Sequence, residues 1–203
     1  MDSVFEGVFS EYTVTNVALK PDGAQAYTNI DGAGSASEEY ERKVITKAKS
    51  NVVVKKIARS AGSGTLTMSL HVPMDLYNTI QGMLKGTAGS VISGVSVLPG
   101  RVQIPHLEIA MEIEDEDGDK KFKYFPDAVS SAFSRSVSSE SDTVAEVEMT
   151  FNLSVDEYDQ IMYEALADDL PTTGAITKET WMSSVSSAAL QAAGATGATG
   201  TTA

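Results

Sequence analysis

Residues 64–73 read "GTLTMSLHVP", and the fold class follows from them. Leu66, Met68, Leu70 and Val72 alternate with Thr65, Thr67, Ser69 and His71, the period of a strand with one dry face and one wet face. Pro73 ends the strand. Leu76, Ile80 and Met83/Leu84 then fall on one side of a helix starting near Asp75, and Gly86 is placed to stop it. Two further stretches repeat the strand pattern. "HLEIAMEIE" (106–114) puts Leu107, Ile109, Met111 and Ile113 on one face, and "AEVEMTFNLS" (145–154) does the same with Ala145, Val147, Met149, Phe151 and Leu153.

"SVDE" at 154–157 then has the form of a capping box, with Ser154 as N-cap and Glu157 three residues on. The helix it predicts carries Tyr158, Ile161, Met162, Ala165 and Leu166 along one stripe and stops before Pro171. Upstream, "VFEGVFSEYTVTNVAL" and "KVITKAKSNVVVKKIA" are rich in β-branched residues and predict strands. Between them residues 20–43 are turn formers and polar groups, which predicts one long loop. Strand is expected near Val91–Leu98, with a turn at Pro99-Gly100. The last twenty residues, "SVSSAALQAAGATGATGTTA", are of low complexity and predict a flexible end. The expected organisation is one domain over 1–170 and a tail over 171–203. Its class is α+β, mostly antiparallel β, a β-sandwich or barrel-like fold with one or two flanking helices.

Between the second and third alternating stretches lies "EIEDEDGDKKFKYF" (112–125), a knot of acid followed by a knot of base. An Asp117-Gly118 two-residue turn pairs Glu114 with Lys121 and Glu112 with Lys123 on the outer face, and Ile113 with Phe122 and Met111 with Tyr124 on the inner face. A calcium loop with Gly118 at its sixth position needs acids where Ile113 and Tyr124 stand, so the spacing excludes an EF-hand. The knot reads as the hairpin at 107–125.

Other chemistry finds little support. The chain has 203 residues, a formal charge of -13 and no cysteine. The charge argues against nucleic-acid binding by phosphate neutralisation, while an acidic wall would let DNA slide past. Without cysteine there are no disulfides, thiolate metal sites or cysteine nucleophiles. "HLE" at 106–108 lacks the cysteines a zinc deaminase needs. "GSGTLT" has Thr67 at the third glycine position of a dinucleotide fingerprint and leads into a strand, not a helix. His71 and His106 read as surface histidines. No secretion signal is visible, and no apolar run approaches the roughly 20 residues of a membrane span. The sequence therefore predicts no enzyme, no cofactor and no metal, and no membrane partner.

The order strand, strand, "GTLTMSLHVPMDLYNTIQGMLKG" (64–86), acidic hairpin, "FKYFPDAVSSAFSRSVSSESDTVAEVEMTFNLS" (122–154), helix resembles the major tail (tail tube) protein of long-tailed, siphovirus-type bacteriophages, in particular those of Gram-positive hosts. The resemblance spans about residues 1–170 and rests on order and spacing, most of all on Ser69–Gly86 and on "YFPDA" leading into "EVEMTFNL". It departs from relatives that carry an immunoglobulin-like domain after the last helix. It implies a virion structural protein assembled in the host cytoplasm, whose copies form stacked, hexameric rings around passing DNA. The implied partners are the tail-tip initiator, the tail terminator and a tape measure protein in the lumen. Glu146 and Glu148 are then candidate lumen acids. Tyr27, Asn29, Ile30, Glu38, Glu39 and Tyr40 of the long loop, with Asp115, Glu116, Asp117 and Asp119 of the hairpin, are candidate contacts between subunits or rings. An Hcp-like ring of a type VI secretion or other contractile particle is the alternative, and a secreted adhesive module is a weaker one.

Overall fold

A computed structural model of the chain describes residues 11, 13–30, 33–49, 52–86, 93–135 and 147–197. Its elements run β1 (Thr13–Pro21), β2 (Thr28–Ile30), β3 (Ala33–Lys49), β4 (Val52–Leu70), α1 (Met74–Ile80), β5 (Leu84–Lys85), β6 (Ser96–Val97), β7 (His106–Glu114), β8 (Lys120–Arg135), β9 (Val147–Ser154), β10 (Tyr163–Leu166), a 3-10 turn at Ala167–Asp169, α2 (Trp181–Ser184) and α3 (Ser187–Gly197). The fold is mostly antiparallel β with few helices. An eight-stranded sheet has the order β2-β1-β7-β8-β9-β4-β3, with β10 beside the first half of β8, and β5 and β6 form a separate pair.

The three alternating stretches behave as read, apart from Ala145, which lies outside the described residues. Leu66, Met68 and Leu70 of β4, Leu107, Ile109, Met111 and Ile113 of β7, and Met149, Phe151 and Leu153 of β9 all enter one core. The sheet curls, so that Ala36 and Tyr40 of edge strand β3 pack near Val14 of β1 over that core. Leu76 and Ile80 of α1 close one end. Burial of each large side chain in it contributes about 1.5–3 kcal/mol. α1 stops at Gly82 (φ +66), before Gly86, because Met83 N–H donates back to the Asn78 carbonyl and the chain turns away. A Cβ on Gly82 would also press on Val102 at 3.0 Å.

Four expectations are corrected. The long loop over 20–43 does not exist: β1 continues to Pro21, and β2 and β3 fill most of the rest. β3 is an edge strand whose inward positions, Ala36, Glu38 and Tyr40, are small or polar, so its alternation carries little hydrophobic signal. The helix after Ser154 is also absent. Residues 155–162 form a loop, and Tyr163–Leu166 is a strand that pairs Tyr163 with Tyr124 and Leu166 with Lys121. β9 leaves β8 beyond Asp127, and β10 takes up the backbone groups exposed there.

The hairpin register is one residue off. Glu114 stands opposite Lys120, Ile113 opposite Lys121, Glu112 opposite Phe122 and Met111 opposite Lys123. The connection is the three-residue form ending on a left-handed residue, Gly118 at φ +88, instead of a two-residue turn. A one-residue slip exchanges the faces of β8, and both faces have reasons to prefer the result. Phe122 and Tyr124 turn outward, where they meet the fourth correction: Ile176, Trp181, Met182 and Val185, in the segment expected to be a flexible tail, are buried against them. Trp181 stacks on Phe122 with centroids 5.6 Å apart and planes at 25°. The paired alanines Ala18 and Ala110 leave room beneath this second core.

Candidate assembly interface

Past the end of β9, β3 and β4 continue as a two-stranded arm. β4 pairs with β9 from Ser63 to Leu70, whereas from Val52 to Gly62 its only described strand partner is β3. At about 3.3 Å per residue the arm is roughly 30 Å long. Glu41, Arg42, Lys43, Val44, Ala58, Arg59 and Ser60 are exposed, Val44 by 60%. A lone two-stranded ribbon is marginal in water, so an arm of this length calls for a surface to lie on.

Two acidic loops stand at the same end of the body. Asp127 of β8 is level with Ser154 of β9, which is level with Ser63 at the root of the arm. The Asp115–Asp119 loop and the Asp156–Gln160 loop therefore both open toward the arm end, joined there by the exposed Asp168 and Asp169 after β10. Tyr40, Ser60 and Gly62 of the arm's root line a cavity of about 390 Å³ together with Val155 and Asp159–Met162.

The arm's root is clamped by a buried cation. The outward turn of Phe122 sends Lys123 inward, where it is 4% exposed beside Met111 and Ile113. Its Nζ is 2.8 Å from Glu11 and 2.8 Å from Glu38, with Glu164 at 3.8 Å. Burial opposes the charge on Lys123, but Glu11 and Glu38 overcome it and hold the ammonium above its ordinary pKa. Burial likewise opposes the charge on Glu11, and Lys123 and Lys121 pull its carboxyl below the ordinary range. Tyr40, pushed up by burial and by its bond to Glu38, stays neutral and donates to that carboxylate at 2.8 Å. The acids and the lysine saturate one another, so the cluster has no base to spare and acts as a tie between β3, β8, β10 and residue 11. A cavity of about 500 Å³ lies beside it, between β1 and β3.

On the outer face Glu108 gathers three donors: Lys20 at 2.7 Å, Tyr27 at 2.7 Å and Tyr124 at 2.9 Å. Burial, and then the bond to Glu108, pushes the Tyr27 hydroxyl far above its ordinary pKa. The same hydroxyl lies 2.8 Å from the Val185 carbonyl, so Tyr27 ties the C-terminal segment to the sheet.

The candidate contacts are therefore scattered. Ile30 is 1% exposed in the first core, so packing within the chain accounts for an apolar group in so polar a stretch. Tyr27, Glu38 and Tyr40 are half-buried in the networks above, while Asn29 and Glu39 are exposed on the edge strands. Asp115 is 8% exposed and turns into its own loop; Glu116, Asp117 and Asp119 are exposed at the tip. Glu148 is exposed on β9, and Glu146 lies outside the described residues. Lys123 and the arm itself were missed. The register hid the lysine. The arm had a plain signal, since residues 42–59 hold Arg42, Lys43, Lys47, Lys49, Lys55, Lys56 and Arg59 and no acid. Among the described residues no three acids or histidines converge to hold a metal, and no helix is long and apolar enough to cross a membrane.

No family model matches the chain, and no curated protein does. Similar solved structures exist. One is a chain of the PVC extracellular contractile injection system, in its sheath-tube complex in the extended state, at 11% identity and a TM-score of 0.45, covering 76% of this chain and 90% of that one. A chain of the anti-feeding prophage tube-terminating cap matches at 11% identity and a TM-score of 0.44 over 82% and 99%. Hcp1 from Flavobacterium johnsoniae matches at 11% and 0.35 over 66% and 87%.

Proposed function

We propose that the chain is the subunit of a tail tube: copies close into a ring, hexameric by the sequence resemblance, and rings stack into the conduit through which a siphovirus-type phage ejects DNA. The observation that supports this most is the arm. A ribbon about 30 Å long that pairs with no other described strand is a strand pair made for another copy. Among the described residues the sheet is also open at both edges, at the three-residue β2 and at β3, so it can continue from one copy to the next around a ring. Glu148 and its neighbour in sequence Glu146 then serve as acids facing passing DNA, where like charge keeps phosphate from sticking.

Tail-tip initiator, terminator and tape measure proteins are the expected partners in the virion. Negative-stain microscopy of the purified protein across a concentration series tests the reading. The expected result is rings with a central hole that grow into long tubes. Rings that never stack favour the Hcp-like alternative. Particles that stay monomeric at every concentration, with a tail-tip complex added as well, overturn both.

A further inference from the structure

The arm leaves the body at a bulge. Tyr40 of β3 stands opposite Gly64 of β4, and Arg42 stands opposite Ser60, so the single residue Glu41 faces residues 61–63. An insertion of this kind bends the strand that carries it. Gly62 sits at its centre with φ +77. The bonds around it are local, from Ser63 Oγ to Glu41 at 2.7 Å and from Gly62 N–H to Ser60 Oγ at 3.3 Å. β9 ends level with Ser63, so pairing with β9 stops at the bulge. Just inside it the Tyr40 ring lies close to Gly64, where a Cβ would come within 3.0 Å of it. Tyr40 also lines both cavities at the arm's root. One, of about 500 Å³, lies beside Lys123, and the other, of about 390 Å³, beside Val155, Ile161 and Met162.

We propose that the arm is hinged at residues 61–63 and that the Lys123–Glu38–Tyr40 chain is the catch that holds it at one angle. With the catch closed, Lys123 Nζ holds Glu38 at 2.8 Å, and the Glu38 carboxylate accepts the Tyr40 hydroxyl at 2.8 Å. The ring is thereby kept against Gly64. With the catch open, Tyr40 turns into the cavity walled by Val155, Ile161 and Met162, and the arm swings about the bulge. β8 carries Lys123, while β3 carries Glu38 and Tyr40 and runs on into the arm, so the chain joins the body to the moving strand. Glu38 is the decisive partner. Its side chain is 16% exposed, whereas those of Glu11 and Glu164 are 45% and 39% exposed and water can replace them. Stability alone does not account for the cluster, since apolar side chains of similar volume in place of a buried ion pair are often neutral or stabilising. What the ions add is direction: ammonium, carboxylate and hydroxyl fit one arrangement, whereas apolar groups slide past one another. The catch lies within one chain and does not depend on the tube reading.

The test reads the arm's angle on single full-length copies. The chain has no cysteine, so Thr46→Cys on the arm and Asn152→Cys on β9, both exposed, take a donor and an acceptor dye. Single-molecule energy transfer is recorded at sub-nanomolar concentration. The labelled wild type is expected to give one transfer efficiency. Lys123→Met combined with Glu38→Leu is expected to add a second one, holding at least about 10% of the molecules. The urea midpoint of that double variant is expected at or above the wild-type value. Tyr40→Phe removes only the hydroxyl bond and leaves the packing in place, and it should show the same second efficiency. Lys123→Arg keeps the charge and should not. A single unchanged efficiency in the double variant or in Tyr40→Phe overturns the catch. So does a wild type that already shows the second efficiency in the same proportion. A double variant with one efficiency and a lowered urea midpoint makes the cluster a stabilising device and overturns the catch too. Each reading is made on isolated copies, so failure here leaves the tube reading standing, and failure to form rings leaves the catch standing.

Discussion

The Asp115–Asp119 loop and the Asp156–Gln160 loop are the same structure built from different sequences. In each, the first residue's N–H donates to the carbonyl of the fifth, Asp115 to Asp119 at 3.0 Å and Asp156 to Gln160 at 2.9 Å. The fourth residue's N–H returns to the carbonyl of the first in both, from Gly118 at 3.3 Å and from Asp159 at 3.1 Å. One oxygen of the leading carboxylate then accepts the N–H groups of the third and fifth residues, all four bonds at 2.9 Å. The fourth residue is left-handed in both: Gly118 at φ +88, Asp159 at φ +62. What differs is the surroundings. Asp115 is nearly buried, whereas Asp156 is more open and takes an extra bond from the Tyr163 hydroxyl at 2.7 Å. The comparison teaches that an Asp followed three residues later by Gly or Asp can specify a complete strand-to-strand turn, whatever stands between.

If the carboxylate organises the turn, removing it should hurt most where burial is deepest. Asp115→Ala strands the N–H groups of Asp117 and Asp119, and chemical denaturation is expected to show a loss of about 2–3 kcal/mol. Asp115→Asn keeps an acceptor in place and should recover most of it. Asp156→Ala is expected to cost less, about 1–2 kcal/mol, because water reaches the freed groups. An equal or larger loss at Asp156 would break the ranking.

Acid tests the second loop by itself. Burial opposes the charge on Asp156, but hydrogen bonds that include the N–H groups of Gln160 and Tyr158 and the Tyr163 hydroxyl hold its carboxyl below the ordinary range. A depressed folded pKa means stability that is full above the unfolded value, about 3.9, and lost as pH falls through the folded one. Denaturation midpoints of wild type and Asp156→Asn should therefore converge as pH drops from about 5 toward 2. A gap that stays constant over that window would show that ionisation of Asp156 is irrelevant to the turn.

Both loops invite another assignment from sequence, for one physical reason. Asp and Ser at the start of a polar stretch satisfy a helix N-terminus and an Asx turn with the same side-chain oxygens. At Ser154 the spacing of Tyr158, Ile161, Met162 and Leu166 tipped the choice to a helix, although what waited was the open edge of β8, a long-range fact with no local trace. At Asp117-Gly118 the charge pairs supported a two-residue turn, because the burial of Lys123 against Glu11 and Glu38 joins residues far apart in the chain. The three central strands were legible because their inward residues are large and apolar. β3 was not, because Ala36, Glu38 and Tyr40 bury little. Trp181 is the chain's one tryptophan, but the two-residue turn puts its partner Phe122 on the inner face.

The smallest effects test whether the fourth position is truly equivalent. Gly118→Ala places a Cβ in a left-handed residue at φ +88, and a loss of about 1 kcal/mol is expected. Space is not the cause, since the nearest atom to that Cβ is a Glu114 carboxylate oxygen at 3.7 Å. Gly118→Asp should cost less than Ala, because Asp tolerates this region, as Asp159 does already. The reverse exchange, Asp159→Gly, relieves left-handed strain of about 1 kcal/mol but gives the unfolded chain more freedom, worth about 0.5–1 kcal/mol. The net gain should thus stay within about 0.5 kcal/mol. Equal and opposite shifts from Gly118→Asp and Asp159→Gly would mean that one backbone preference governs both loops. A clear loss from Asp159→Gly would mean that the Asp159 side chain does something at the arm's root that its backbone angle does not explain, and the likeness of the two loops would end at the hydrogen bonds.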